Sequence, residues 1–125
     1  MAKNIDLDKT DETIEITVNE KGQYEFPMFD MYVDEEGNTE KIKLIVQKTY
    51  NMGNYNTALF AYMNNADPRA FGQSVFKGMI VYPKKAQNIT FWDHDLEALA
   101  LVANAIVEIM GKKPKTLKRN LNFNL

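Results

Sequence analysis

Apolar and polar residues alternate in two stretches of the first half of the chain. In residues 13–18, Ile14, Ile16 and Val18 fall on one face, and polar side chains fall on the other. Residues 41–50 repeat this period of two. Such alternation is typical of a strand with one buried face, so both stretches are predicted to be β-strands.

Extended segments and turns continue this pattern. Residues 24–33 predict another strand, which Pro27 should interrupt because proline cannot donate a hydrogen bond to a sheet ladder. Residues 34–38 are polar and predict a hairpin turn, and residues 51–54 predict the next turn. Residues 57–63 are assigned to a further strand. The first half of the chain is therefore expected to be an antiparallel meander.

The second half is predicted to be a loop, two strands and a helix. Residues 64–73 are interpreted as a loop, and residues 75–82 are apolar and β-branched enough for a strand. Ile89–Trp92 is expected to be a short strand that leads into a helix. Residues 96–110 predict that helix, because they contain mostly good helix formers.

Apolar residues cover most of the circumference of the predicted helix. Asp93 or Asp95 should cap its N-terminus, and Gly111 should end it. Its few polar residues form one narrow stripe, made of Glu97, Asn104 and Glu108. A helix of this kind is buried on more than one side. The sheet should cover one side, and a second subunit or another partner could cover the rest.

These elements predict an α+β fold, with an antiparallel sheet of about five to six strands packed against one long helix in the C-terminal half. Residues 1–12 are expected to be a loosely ordered acidic arm. Residues 13–125 should form a single domain with a basic C-terminal segment, residues 111–125. Within it, residues 117–125 could be a final strand or a tail.

Length and composition narrow the possible settings. With 125 residues the chain can form one domain with a substantial core. It has no cysteine, which excludes disulfides and thiolate metal sites and fits a reducing compartment. No apolar run reaches the roughly 20 residues that span a bilayer, and the start of the chain lacks the apolar core of a secretory signal. We therefore expect a cytoplasmic location and no membrane partner.

Charge is divided unevenly along the chain. Residues 1–40 hold twelve acidic side chains against three lysines, whereas residues 41–125 hold five acidic and twelve basic ones. Such a division indicates a charged partner or self-complementary assembly, although a solvated face is the simpler interpretation. The acidic candidates for protein binding are Asp6, Asp8, Asp11, Glu12, Asp34, Glu35 and Glu36. They could neutralise another subunit or bind a basic, nucleic-acid-binding surface of another protein.

Nucleic-acid binding is the alternative function. The basic candidates for phosphate contacts are Lys112, Lys113, Lys115, Lys118 and Arg119, which Lys84 and Lys85 could extend. Four aromatic side chains could stack on bases: Tyr55, Phe60, Tyr62 and Phe71. The overall acidity of the chain weighs against this function.

Catalysis has one candidate cluster, Asp93-His94-Asp95 beside Trp92. A histidine between carboxylates could act as a general base or a metal ligand. Helix capping already explains both aspartates, however, and no second motif completes the cluster. We therefore expect no catalytic residue, no metal and no cofactor, and we expect the protein not to be an enzyme.

Residues 89–125 resemble a family of small accessory proteins of phages and conjugative elements. The resemblance lies in Ile89-Thr90-Phe91-Trp92-Asp93-His94-Asp95, in Gly111-Lys112-Lys113-Pro114, and in the terminal Phe123-Asn124-Leu125. It implies a non-enzymatic accessory role exerted through protein–protein interaction or self-assembly. Inhibition of a host defence protein through the acidic N-terminal region is one form of that role.

Overall fold

The computed structural model describes residues 13–111 and 116–120, so the predicted acidic arm (residues 1–12) lies outside the described part. The strands are β1 (Thr13–Val18), β2 (Tyr24–Glu25), β3 (Phe29–Tyr32), β4 (Thr39–Ile42), β5 (Ile45–Val46), β6 (Ile80–Tyr82) and β7 (Thr116–Asn120). The helices are α1 (Met52–Asn65), α2 (Pro68–Met79) and α3 (Leu96–Gly111). The predicted α+β class is confirmed, with three α-helices in the described residues rather than one.

The strands divide between two antiparallel sheets. Five of them form one sheet in the order β6-β5-β2-β1-β7, and β3 pairs with β4 in a separate sheet. The prediction of a single sheet was wrong because the chain leaves the first ladder at Pro27 and rejoins it after Leu44. At this point the backbone N–H of Phe26 donates to the carbonyl of Leu44 at 3.0 Å, which continues the β2–β5 ladder by one hydrogen bond.

The predicted hairpin turn at residues 34–38 is confirmed between β3 and β4. Phe29 pairs with Ile42 and Tyr32 pairs with Thr39 in the antiparallel ladder. The N–H of Val33 donates to the carbonyl of Asn38 at 2.9 Å and closes the turn. Gly37 has φ +88°, a conformation that L side chains rarely adopt. The local sequence therefore specifies this hairpin.

Helix α1 corrects the strand predicted over residues 57–63. Its buried side chains are Tyr55, Ala58 and Tyr62, which follow the helical spacing of three and four. Asn51 caps its first turn, because the side-chain oxygen of Asn51 accepts a hydrogen bond from the N–H of Asn54 at 3.0 Å. Aromatic residues favour strands when only the local sequence is considered. In this segment they belong to a helix that packs against the core.

The loop predicted over residues 64–73 is corrected by the end of α1 and the start of α2, and α2 also replaces most of the strand predicted over residues 75–82. Asp67-Pro68 begins the helix. The carboxylate of Asp67 accepts hydrogen bonds from the N–H groups of Arg69 and Ala70, and proline fits the first helical position. The helix runs to Met79, and only Ile80–Tyr82 forms a strand.

A 3₁₀ turn replaces the short strand predicted at Ile89–Trp92. Asn88 caps this turn by accepting a hydrogen bond from the N–H of Thr90 at 3.0 Å. The turn buries Trp92, whose indole N–H donates to the carbonyl of Ala86 at 2.9 Å. Trp92 thereby joins the segment before α3 to the core.

The chain itself covers most of α3. Six of its side chains are buried: Leu99, Val102, Ala103, Ala105, Ile106 and Ile109. Four more pack partly against the same core: Ala98, Leu101, Val107 and Met110. Helix α2 and the turn that holds Trp92 both contact α3. Leu96 at the start of the helix is exposed, and the suggestion that a second subunit or another partner covers the rest of α3 stays a prediction.

Candidate protein-interaction surface

The acidic candidates that the structure describes lie on the β3–β4 turn. The carboxylate of Asp34 accepts hydrogen bonds from the N–H of Glu36 at 3.0 Å and from the N–H of Asn38 at 3.1 Å. The side-chain amide of Asn38 donates to it at 2.7 Å. These hydrogen bonds lower the pKa of Asp34. Asp34 therefore shapes the turn, while Glu35 and Glu36 are exposed.

The other four acidic candidates, Asp6, Asp8, Asp11 and Glu12, lie outside the described residues. They therefore remain predictions.

Ion pairs within the chain neutralise a part of the charge division. Each pair joins an acidic residue of the first 40 positions to a later lysine. The pairs are Glu25–Lys43 at 3.1 Å, Asp30–Lys41 at 3.2 Å and Glu40–Lys85 at 2.8 Å. The charge division is therefore a weaker indication of a partner than the sequence suggests.

The basic candidates are described only in part. Lys112, Lys113 and Lys115 lie outside the described residues. Lys118 and Arg119 lie on β7, whose backbone pairs antiparallel with β1. Of the two alternatives for residues 117–125, the strand holds as far as residue 120.

Most of the aromatic residues proposed for base stacking are in the core. Tyr55, Tyr62 and Phe71 are buried. The rings of Tyr62 and Phe71 stack with centroids 4.9 Å apart, and Tyr55 meets Phe71 edge-on at 6.1 Å. Base stacking by these three residues was a wrong prediction, and only Phe60 among the four is exposed.

Both carboxylates of the candidate catalytic cluster make structural contacts. Asp93 accepts two hydrogen bonds from the Arg69 guanidinium, at 2.9 and 3.2 Å, which lower the pKa of Asp93. Asp95 caps α3 by accepting from the N–H of Ala98 at 3.0 Å, and its second oxygen accepts from the N–H of Tyr32 at 3.1 Å. The capping role is thus confirmed for Asp95, and His94 is exposed.

A groove of about 400 Å³ lies beside the β1–β2 turn and the end of β5. It is lined by Lys21, Gly22, Gln23, Tyr24, Gln47, Lys48 and Tyr50. The titratable residues of its described lining are two lysines and two tyrosines, without a carboxylate or an imidazole. Among residues 13–111 and 116–120, no three acidic, histidine or cysteine side chains are grouped to hold a metal ion.

The solvent-exposed side of α1 was not predicted as a functional surface from the sequence. We define the α1 face as Met52, Asn56, Phe60 and Met63, which are all exposed, whereas Leu59 beside them packs partly against the core. The exposed fractions of its largest apolar side chains are 46% for Met52, 70% for Phe60 and 62% for Met63. Helix α1 contains no charged residue over its fourteen positions. An uncharged surface helix with large exposed apolar side chains is a candidate contact surface.

Contacts on the opposite side of α1 fix this orientation. Tyr62 stacks on Phe71 of α2, and its hydroxyl donates to the side-chain oxygen of Asn104 on α3 at 2.6 Å. Tyr55 and Ala58 are buried on the same side. The helix is therefore held from one side, and the α1 face points away from the core. The spacing 52, 56, 60 and 63 is the sequence signal that could have revealed it.

Within the described part of the chain, none of the helices combines the length and the apolarity that crossing a membrane requires. Comparisons of the chain with protein-family models, with curated proteins and with solved structures found no match. Function therefore has to be inferred from the surfaces of this chain.

Proposed function

We propose that this protein is a non-enzymatic binding module that contacts a protein partner through the α1 face. The observation that carries the proposal is an uncharged helix whose Met52, Phe60 and Met63 are exposed although the other side of the helix is anchored in the core. Contiguous apolar surface that is not used for folding is commonly used for association.

The composition of the α1 face matches the centre of a protein interface. Such centres are enriched in methionine and aromatic residues and depleted of charge. Methionine side chains adapt to irregular surfaces, because they are unbranched and have a polarisable sulfur. Phe60 is the largest side chain on this face and has the highest exposure of its apolar members, so we assign it the role of the central anchor.

The setting that we propose is the accessory role implied by the resemblance of residues 89–125. In that setting the α1 face provides apolar contact area, and the exposed carboxylates of Glu35 and Glu36 provide a separate acidic surface. Inhibition of a host defence protein is the form of this role that would use both surfaces.

Photo-crosslinking from the α1 face tests the proposal. A photo-reactive phenylalanine analogue replaces Phe60 in the cells that naturally produce the chain, and the adducts are identified by mass spectrometry. The control carries the analogue at Met28, which is 56% exposed outside α1. We expect a discrete protein adduct from position 60, and its loss when Met63→Glu is added. The same adducts from both positions, or no adduct from position 60, would show that the α1 face is not a binding surface.

A further inference from the structure

We infer that the groove beside the β1–β2 turn binds a nucleoside phosphate, as a free nucleotide or as one unit of a single strand. This inference goes beyond the proposed function, because none of the groove residues belongs to the α1 face. The charge, the aromatic side chains, the fixed backbone and the volume of the groove carry it.

The described lining of the groove is positively charged, although the chain as a whole has a formal charge of −2. Lys21 of the turn and Lys48 after β5 line the groove, and no carboxylate does. Glu25 follows Tyr24 on β2, so its side chain points to the other face of the sheet, where it pairs with Lys43 at 3.1 Å. Two lysines from separate segments favour an anionic ligand, and lysine is a common ligand of phosphate.

Two tyrosines supply aromatic rings beside the lysines. Tyr24 is almost fully buried, whereas Tyr50 is 98% exposed. Sites for single nucleotides combine positive charge along the backbone path with aromatic side chains on which bases stack. Gln23 and Gln47 also line the groove, and a carboxamide can donate to and accept from the edge of a base. The lining therefore offers a partner for each part of a nucleoside phosphate.

Hydrogen bonds fix the backbone on both sides of the groove. On the β1–β2 turn, the side-chain oxygen of Asn19 accepts from the N–H of Lys21 at 2.9 Å and from the N–H of Gln23 at 3.0 Å. On the other side, the N–H of Gln47 donates to the carbonyl of Met79 at 2.8 Å. The groove is therefore formed before a ligand arrives, which lowers the entropic cost of binding.

The volume of the groove suits one nucleotide. It is about 400 Å³, near the lower end of the range of roughly 300–1,000 Å³ that ligand sites occupy. A single strand would therefore place one of its units in the groove.

Isothermal titration calorimetry with the full chain tests this site. The ligands are AMP, GMP, CMP and UMP, their nucleosides, inorganic phosphate, and the matching tetranucleotides. At about 50 mM salt we expect at least one nucleotide to bind with a dissociation constant below about 1 mM. Its nucleoside and inorganic phosphate alone should each bind at least about tenfold more weakly, because each lacks one of the two contacts.

Variants of the lining residues locate the binding. Lys21→Gln with Lys48→Gln should weaken nucleotide binding at least about tenfold, and Tyr50→Ala should weaken it at least about fivefold. Lys77→Gln and Tyr32→Ala, at exposed positions outside the groove, are the matched controls and should leave the affinity unchanged. Circular dichroism checks the fold of each variant. Lys21→Gln alone, at an exposed turn position, replaces the double variant if that variant is unfolded.

Each result supports or overturns the inference. Tighter binding of a tetranucleotide than of its mononucleotide would identify a single strand as the source of the phosphate, and equal affinity would identify the free nucleotide. Absence of nucleotide binding at about 1 mM, or equal affinity for nucleoside and nucleotide, would overturn the inference. An affinity that the lysine and tyrosine variants leave unchanged would overturn it as well. None of these results changes the outcome of crosslinking from position 60.

Discussion

Helices α1 and α3 are both rich in apolar residues, yet the core covers them to different extents. Helix α3 buries six side chains and packs four more against the same core. Helix α1 buries three and exposes Met52, Phe60 and Met63. The more apolar helix is therefore the better covered one, and Leu96 at its start is its one large apolar side chain that is mostly exposed. An apolar composition indicates an interface only when the rest of the chain leaves that surface open.

The largest expected difference between the two helices is in the free energy of unfolding that is lost when one side chain of each is truncated. Ile106 on α3 has no exposed surface, so Ile106→Ala should lower the free energy of unfolding by about 2–5 kcal/mol. Phe60→Ala removes a larger side chain from α1, but it should change the stability of the monomer by less than about 0.5 kcal/mol. Urea denaturation at low protein concentration measures both. Similar losses for the two variants would show that the α1 face belongs to the core.

A smaller effect should appear at alkaline pH on the anchored side of α1. Burial raises the pKa of Tyr55 to about 12. The unfolded chain releases this proton near pH 10, whereas the folded chain retains it, so the free energy of unfolding should decrease between those values by about 2–3 kcal/mol. Tyr55→Phe should remove that part of the pH dependence. Tyr50→Phe is the control, since Tyr50 is 98% exposed, and equal effects would contradict the account.

Removal of the N-terminal caps of the two helices should cost less stability, and the two costs should differ modestly. Asp95→Ala should destabilise the protein by about 1–2 kcal/mol, because its carboxylate caps α3 and also accepts from the N–H of Tyr32. Asn51→Ala removes a cap from α1 alone and should cost about 0.5–1 kcal/mol. Thermal unfolding of both variants checks this order. The reverse order would mean that the cap of α1 contributes more to the fold than that of α3.

The smallest expected effect is that of salt on association through the α1 face. The α1 face has no charge, so the dissociation constant should change by less than about threefold between roughly 50 mM and 500 mM sodium chloride. Assembly through the acidic and basic parts of the chain should instead weaken steeply as salt screens the charges. Light scattering at both salt concentrations distinguishes the two modes, and a steep loss would favour the charged surfaces over α1.

Predictions from the sequence were correct where a local pattern is compatible with only one local structure. Asp95, the apolar body of α3, the turn at Asp34 and the break at Pro27 all follow from local chemistry, and the structure has each of them. The same local reasoning failed for α1 and α2, because aromatic residues such as Tyr62 suit a strand as well as a helix. Burial of Tyr62 against Phe71, a contact between two helices, resolves that choice.

The candidate surface could not be located from the sequence for the same reason. Exposure of Phe60 and Met63 depends on which side of α1 is anchored, and the contacts of Tyr62 with α2 and α3 decide that. The charge division along the chain was visible in the sequence. The partial neutralisation of these charges could not be predicted from the sequence, because ion pairs such as Glu40–Lys85 join residues that are distant along the chain.

Photo-crosslinking from position 60 tests the central claim, that the exposed side of α1 binds a protein. We predict a discrete protein adduct from the analogue at position 60, its loss when Met63→Glu is added, and its persistence when Glu replaces Met28, which is 56% exposed outside α1. No adduct from position 60, or an adduct that Met63→Glu leaves unchanged, would contradict the account.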